Sequence, residues 1–351
     1  MAPKNLRELM EEGYVSLAML PKDNDFLLAG TGKAVDYNKL DTLIGYTVPL
    51  IAHDYGAKTP LMWNTLYAQL GLHIRNIMVI ADPKNAGLIF DAFRADPKYL
   101  GGGLGVGFKE RIQGLDGVVP ADLGAANIVV KQGEQLMGYN TDAQGFVKSL
   151  EDKFNGIGKH IEGSNIVILG AGGVAKEVVK LLAEKGVKRM ALLNRTASKA
   201  VSLAYEINRN FGDRAVAGGE NIIRGYLLNS FTPPDAVINL TDKGSDGTLV
   251  GVCAFAAAGE SNGYISRDIA RELANLNPDI IVADIVLPKG RPSITLRTAK
   301  NEGLTNLLDG VPMVVNQAAP AYVLVQKAHQ DKHAQKVTEE QALEIFRKAA
   351  A

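Results

Sequence analysis

Several things are scarce in this sequence. Its 351 residues include one cysteine, Cys253, and one tryptophan, Trp63. A single cysteine excludes an internal disulfide and fits a reducing compartment. Set in the apolar run VGVCAFAAAG, Cys253 reads as a small buried hydrophobe rather than a nucleophile. Trp63 reads as a packing residue. An excess of either charge is also missing, since 38 basic and 38 acidic side chains cancel. Nucleic-acid binding normally needs a basic excess or stripe, so none is expected. Gly, Pro or charge breaks every apolar run before it could span a bilayer, so no membrane is expected either. The opening segment MAPKNLRELMEEGYV lacks the apolar core of a secretory signal, and the expected location is cytoplasmic. No Gly-x-Ser-x-Gly elbow, no phosphate loop ending in Gly-Lys-Ser/Thr and no internal repeat is present. Of the five histidines only His329 and His333 have a metal-ligand spacing, four apart on an expected helix. No third ligand accompanies them, so they read as a solvated helix face and no metal is expected.

What is present is a globular composition, 46% hydrophobic and 22% charged, in a chain long enough for two domains. Residues 1–40 are polar and read as an extension with one helix, Leu6 to Ala18. Thr59 to Leu70 reads as a helix with Thr59 as N-cap and Pro60 in its first turn. Ile77–Ala81 reads as a strand. Ile128–Val130 and Gln135–Gly138 read as a hairpin leading into Tyr139-Asn140-Thr141-Asp142. The polar, Gly-rich stretch Lys153–Gly163 reads as the seam before a second domain. Strands then alternate with helices: Asn165–Leu169, a helix to Lys185, Arg189–Leu193, Ala236–Leu240 and Ile280–Asp284. That alternation predicts an α/β fold with a parallel, doubly wound sheet. A last helix is expected over Thr338–Ala349, capped by Thr338.

The strand NIVILG runs straight into GAGGVAKEVVKLLAEKG. In a dinucleotide loop the first Gly makes the tight turn, the second lets the backbone approach a pyrophosphate, and a small third residue lets helix and strand pack. Gly170, Gly172 and Ala175 fill these places, with Ala171, Gly173 and Val174 between them. The following helix offers N–H groups and a partial positive charge to phosphates. At the end of the next strand an NAD site commonly places an acid for the ribose 2′-OH. Here stand Asn194-Arg195-Thr196. An acid would repel a 2′-phosphate, whereas Arg can pair with it through two charge-assisted bonds. NADP is therefore the expected cofactor.

With those residues in view, the chain resembles the shikimate/quinate dehydrogenase family from about Leu43 to Val325. The segments that carry the resemblance are GYNTDAQGF at 138–146, GAGGVAKE with NRT downstream, INLTDKG at 238–244, and DGVPMVVNQAAPAY at 309–322. The resemblance implies a substrate-binding α/β domain of residues 41–150 plus 318–351 and a C-terminal Rossmann-type NADP domain of residues 151–317, with a cleft between them. It implies reversible hydride transfer to a ring ketone, as in 3-dehydroshikimate to shikimate, in aromatic amino acid biosynthesis. It assigns Lys109 and Asp142 as the catalytic pair, and Thr59, Asn127 and Gln317 to the substrate. Thr241, Gly310 and Met313 join the cofactor set. The chemistry agrees, since a ketone accepting hydride becomes an alkoxide that needs a proton or a nearby cation. For Asp142, N-capping of the next helix is a second role that could coexist. The partner is a small-molecule substrate, and a homodimer is open as the assembly.

The family pattern is broken in places. The family binds the substrate carboxylate with a Ser-x-Ser-Pro motif. Here the text is His53-Asp54-Tyr55-Gly56-Ala57-Lys58-Thr59-Pro60, with extra residues and Ala57 where one Ser belongs. Lys58 could bind the carboxylate instead, or be solvated. The Lys109 loop, GVGFK, is shorter than the family form and lacks its Thr and Pro. Ile128 and Leu287 replace a Thr and a Tyr. Lost hydroxyls alter which substrate leaves no polar group unpaired. The alternatives are therefore a related enzyme for quinate, an aminoshikimate-like or a pterin-like compound, and a non-catalytic NADP-binding regulatory protein.

Overall fold

A computed structural model describes residues 4–19, 35–53, 58–105, 107–109, 111–112, 114–115, 117–119, 126–228, 233–288, 290–333 and 335–350. It forms two compact units, residues 1–141 with 317–351, and residues 142–316.

The first unit runs α1 (Leu6–Glu11), β1 (Val15–Ala18), α2 (Tyr37–Leu40), β2 (Gly45–Ile51), α3 (Thr59–Gln69), β3 (Ile74–Asn76), β4 (Met78–Ala81), α4 (Ala86–Ala95), β5 (Tyr99–Leu104), β6 (Val118–Val119), β7 (Ile128–Gln132) and β8 (Gln135–Tyr139). The described residues make one eight-stranded sheet, ordered β1-β4-β2-β5-β7-β8-β6 with β3 beside β2. Strand β2 lies parallel to β3, β4 and β5, and all seven of its residues are buried, as a central parallel strand requires. Strand β7 is antiparallel to β5 and β8, the latter pair being the expected hairpin.

Two local expectations fail here. The single helix expected over Leu6–Ala18 stops at Glu11, after a capping box between Asn5 and Glu8. Gly13 turns the chain at φ 78°, and Val15–Ala18 pairs antiparallel with Met78–Ala81. The free edge of β4 offers this segment a ladder, and Val15 and Leu17 enter the core from it. Thr59 does not cap α3 either. It is already the first helical residue, Lys58 holds the cap position, and Lys58 makes no side-chain cap bond. Asn64 of α3 instead pins Asn76, accepting from its N–H at 2.6 Å and donating to its carbonyl at 3.2 Å.

The second unit runs α5 (Asp142–Gly156), β9 (Asn165–Leu169), α6 (Gly173–Glu184), β10 (Arg189–Asn194), α7 (Ala197–Phe211), β11 (Ala215–Gly219), α8 (Ile223–Leu227), β12 (Ala236–Asn239), α9 (Asn262–Leu276), β13 (Ile281–Asp284), α10 (Ile294–Asn301) and β14 (Leu307–Leu308). Its strands are all parallel, in the order β11-β10-β9-β12-β13-β14. That is the doubly wound order of a Rossmann sheet. Alternate residues of β9 feed opposite faces. Ile166 and Ile168 pack with Val178 and Leu182 of α6, while Val167 and Leu169 pack with Ile269 and Leu273 of α9. Helix α5 belongs to this unit because Phe146, Leu150 and Phe154 enter the same layer as α6. Cys253 is buried and its thiol is pushed up by that burial, which fits a packing role.

Helix α11 (Val311–Ala328) and α12 (Glu339–Ala350) end the chain. Thr338 caps α12 as expected, its Oγ1 accepting from Gln341 N at 3.3 Å. Tyr322 packs edge-on against Trp63 (5.5 Å between ring centres), His333 (6.0 Å) and Phe346 (6.2 Å), so Trp63 is a core residue. The histidine pair is not a solvated helix face. Helix α11 ends at Ala328, His329 Nε2 bonds the carbonyl of Leu100 at 2.9 Å, and His333 is buried against Tyr67 and Tyr322. Tertiary packing overrides the helical periodicity there. No helix among the described residues is long and apolar enough to cross a membrane.

One glycine in this sheet has no alternative. A Cβ on Gly102 of β5 would lie 1.8 Å from the carbonyl oxygen of Val48. Gly102→Ala should therefore force β5 from β2 and cost about 3 kcal/mol or more. Urea unfolding checks this, and an unchanged midpoint would mean that the two strands separate freely.

Candidate functional site

Within the first unit, several of the expected residues meet. Lys109 lies half-buried on the turn after β5, which is anchored by the fully buried Phe108. The Lys109 carbonyl accepts from the N–H of Ala126 at 3.3 Å, which fixes the turn beside Asn127. Asn127 is itself held on both sides: its N–H donates to Tyr139 O at 3.0 Å, and its carbonyl accepts from Leu104 N at 2.7 Å. Its buried amide makes a triad. Nδ2 donates to Thr141 Oγ1 at 2.9 Å and to Gln317 Oε1 at 3.0 Å, and Oδ1 accepts from Thr141 N at 2.8 Å. Thr141 Oγ1 also donates to Gln317 Oε1 at 3.1 Å. Residues 127, 141 and 317, far apart in sequence, thus form one hydrogen-bonded group.

Asp142 follows Thr141 directly and is buried at the first helical position of α5. It is therefore not the N-cap, although a carboxylate in a first turn still suits the helix dipole. Thr59 lies half-buried at the start of α3. Ala57, where the family's serine belongs, lies outside the described residues.

The Gly loop of the second unit joins β9 to α6 as the sequence predicts. Gly170 has φ 115°, donates its N–H to Leu193 O at 2.8 Å, and leaves no room for a side chain, since a Cβ would meet Leu240 O at 2.8 Å. Gly172 is the N-cap of α6, with extended backbone and no side-chain cap. A Cβ at Gly172 or Gly173 would meet nothing within 4 Å, so this helix start is open to an anion. Ala171 is buried, Val174 is half-buried, and Ala175 is buried against the sheet where a small residue is needed. At the end of β10, Asn194 Nδ2 donates to Thr196 O at 2.9 Å and shapes the turn that exposes Arg195. Thr196 is the N-cap of α7. Among the described residues these donors and this cation fit a pyrophosphate and a further phosphate.

The ends of β12 and β13 hold a buried polar chain that the sequence reading missed. Asn239 Oδ1 accepts from Thr241 N (3.1 Å) and Oγ1 (2.6 Å). Its Nδ2 donates to Asp284 Oδ1 at 2.9 Å and to Lys243 O at 3.1 Å. Asp284 also accepts from Val286 N at 3.0 Å and Ser293 Oγ at 2.5 Å. Thr241 is thus positioned from beneath by a carboxylate. A polar residue ending each apolar strand, Asn239 and Asp284, was the available signal. Gly310 has a packing reason of its own, because a Cβ would lie 2.6 Å from Ile285 O. Met313 packs partly buried on the α6 side of the sheet.

Fold and loop define two units, a Rossmann-type nucleotide-binding unit and an α/β unit. Comparison with known proteins agrees. The family model for shikimate / quinate 5-dehydrogenase matches residues 151–217. A shikimate dehydrogenase (NADP(+)) of Halothermothrix orenii is 31% identical over 281 residues, 79% of this chain and 89% of the relative. A shikimate 5-dehydrogenase of Thermus thermophilus, solved with NADP(H) and shikimate, is 25% identical with a TM-score of 0.56, covering 87% of this chain and 99% of that one. A Listeria monocytogenes shikimate 5-dehydrogenase solved with shikimate and NAD shares the fold, with a TM-score of 0.62 and 22% identity, covering 86% of this chain and 96% of that one. The chain belongs to the shikimate dehydrogenase family.

Asp284 sets a pH signature. Burial outweighs its donors and raises its carboxyl from 3.8 to about 6. A raised pKa favours the fold below 3.8, and that contribution disappears as pH rises through about 6. The gap is worth about 3 kcal/mol. Asp284→Asn should therefore gain stability relative to the wild type as pH rises from 4 to 7 (about 2 kcal/mol). Parallel melts at each pH measure it, and a constant difference between the two proteins would refute it.

Proposed function

We propose that this chain is an NADP-dependent oxidoreductase that reversibly reduces 3-dehydroshikimate to shikimate, or acts on a closely related cyclic hydroxy acid. The observation that carries the reading is the Asn127–Thr141–Gln317 triad, which gathers three separated motif residues directly before Asp142. Membership of the family and the open Gly172 helix start support the cofactor.

When bound, NADP supplies or accepts the hydride. Gly170–Ala175 would hold its pyrophosphate by backbone N–H groups, and Arg195 its 2′-phosphate, beside Asn194 and Thr196. Thr241, Gly310 and Met313 complete that set. Lys109 Nζ gives the proton that the reduced carbonyl oxygen needs and takes it back in the oxidising direction. Asp142 is the second proton-handling group. Asn127, Gln317 and Thr59 hold the polar groups of the ring. The domain roles follow the two units rather than the bounds expected from the sequence: residues 1–141 with 317–351 bind substrate, and residues 142–316 bind cofactor.

A second substrate is favoured by one feature. Leu287, 47% exposed, and the buried Ile128 stand where the family carries hydroxyls. A quinate-like or amino analogue would place different polar groups there. The reading extends to a cytoplasmic enzyme whose partner is a small molecule rather than a nucleic acid, working as a homodimer. Its mass in solution tests the last point.

Absorbance of the reduced nicotinamide, followed with shikimate, quinate and amino analogues, tests the activity. Turnover of one of them should fall at least about a hundredfold in Lys109→Ala. Tight NADP binding with no turnover across the panel would favour a regulatory protein instead. Arg195→Ala should weaken NADP by about tenfold or more and NAD far less. Equal losses for both would remove Arg195 from its role.

A further inference from the structure

Resting on the NADP reading above, we infer that Lys243 is a positioning residue for cofactor choice. It holds the Glu220 carboxylate away from the place where Arg195 meets the 2′-phosphate.

The argument starts from strand register. Strands β10 and β11 are parallel, and Asn194 lies opposite Gly219 at their shared end. The next residues, just beyond the two strand ends, are Arg195 and Glu220. Neighbouring strands lie about 4.8 Å apart. The start of α7 lies close to the end of β11, since a Cβ added at Gly219 would stand 4.0 Å from Ala197 Cβ. A carboxylate is thus built next door to the cation proposed for the 2′-phosphate. A carboxylate near that cation would repel a 2′-phosphate and compete with it for Arg195.

The structure removes this conflict. Glu220 Oε2 is bound by Lys243 Nζ at 2.7 Å, with only 19% and 11% of the two side chains exposed. Nζ also donates to Ala256 O at 2.8 Å. The main chain of Lys243 is fixed as well, its N–H bonding Thr241 Oγ1 at 3.1 Å and its carbonyl accepting from Asn239 Nδ2 at 3.1 Å. Arg195 stays exposed and makes no ion pair with Glu220 or any other described residue. One acid is therefore spent on a buried cation, and the neighbouring cation is left for solvent or ligand.

Without Lys243, Glu220 has two courses. It can stay half-buried and unpaired, which is costly for a carboxylate. It can also swing out to Arg195 and compete with the phosphate. The second course lowers the preference for NADP while leaving NAD almost untouched.

The test uses the full chain and equilibrium dissociation constants for NADP+ and NAD+, measured by calorimetry. In Lys243→Met the preference for NADP+ should fall about tenfold, as an added charge near a phosphate dictates. The double variant Lys243→Met with Glu220→Gln should recover to within about threefold of the wild type, because the offending charge is gone. Glu220→Gln alone should keep or raise the preference. An unchanged preference in Lys243→Met overturns the inference, as does a double variant as impaired as the single. Should Lys243→Met fail to fold, Glu220→Gln decides: a lowered preference overturns the inference and a kept or raised one supports it. A wild type without preference for NADP+ overturns the reading of Arg195 itself, and this inference with it.

Discussion

Gly170 has no room for a side chain, and the nucleotide-binding turn depends on that. Its N–H reaches the carbonyl of Leu193 on β10, while its Cα faces the carbonyl of Leu240 after β12. Three strand ends therefore converge on one residue whose φ of 115° suits glycine alone. The start of α6, the turn carrying Arg195 and the loop carrying Thr241 take their positions from that convergence. Any larger residue would have to part β9 from β12, and the open cradle at Gly172 would go with it.

Much of this was legible in the sequence because it is local. The step from NIVIL to GAGGVA needs only glycine geometry and helix periodicity, and β9, α6 and β10 follow it closely. The Tyr139–Asp142 segment was legible as motif text, and its hairpin formed as expected. What escaped depends on distant partners. Val15–Ala18 became a strand because β4 had a free edge, which nothing within Leu6–Ala18 reveals. His329 and His333 look like a solvated helical pair until the chain ends α11 early and folds them against Leu100 and Tyr322. Thr59 has the chemistry of a cap, but the helix begins one residue sooner than that role allows.

The second unit also separates its charges by depth. Asp284 and Lys243 are buried, Glu220 is half-buried, and all three are satisfied, the carboxylate of Asp284 by Asn239, Ser293 and a backbone N–H, the other two by one another. Arg195 is left at the surface. Buried polar groups are costly unless paired, so a chain of such pairs holds a loop in one conformation. Sequence reading sees Arg195 because a lone cation at a strand end is conspicuous. It cannot see Lys243 and Glu220 as a couple, because residues 220 and 243 meet only when the strands are stacked in order.

The first unit is discontinuous, and this bears on how the molecule is made. Its aromatic centre joins Trp63 and Tyr67 to Tyr322, His333 and Phe346. Translation delivers residues 142–316 as an unbroken stretch, complete before those last three side chains exist. Of the two units, the one whose first segments are made earlier is thus the one whose interior closes last, and until then Trp63 lacks its contact with Tyr322.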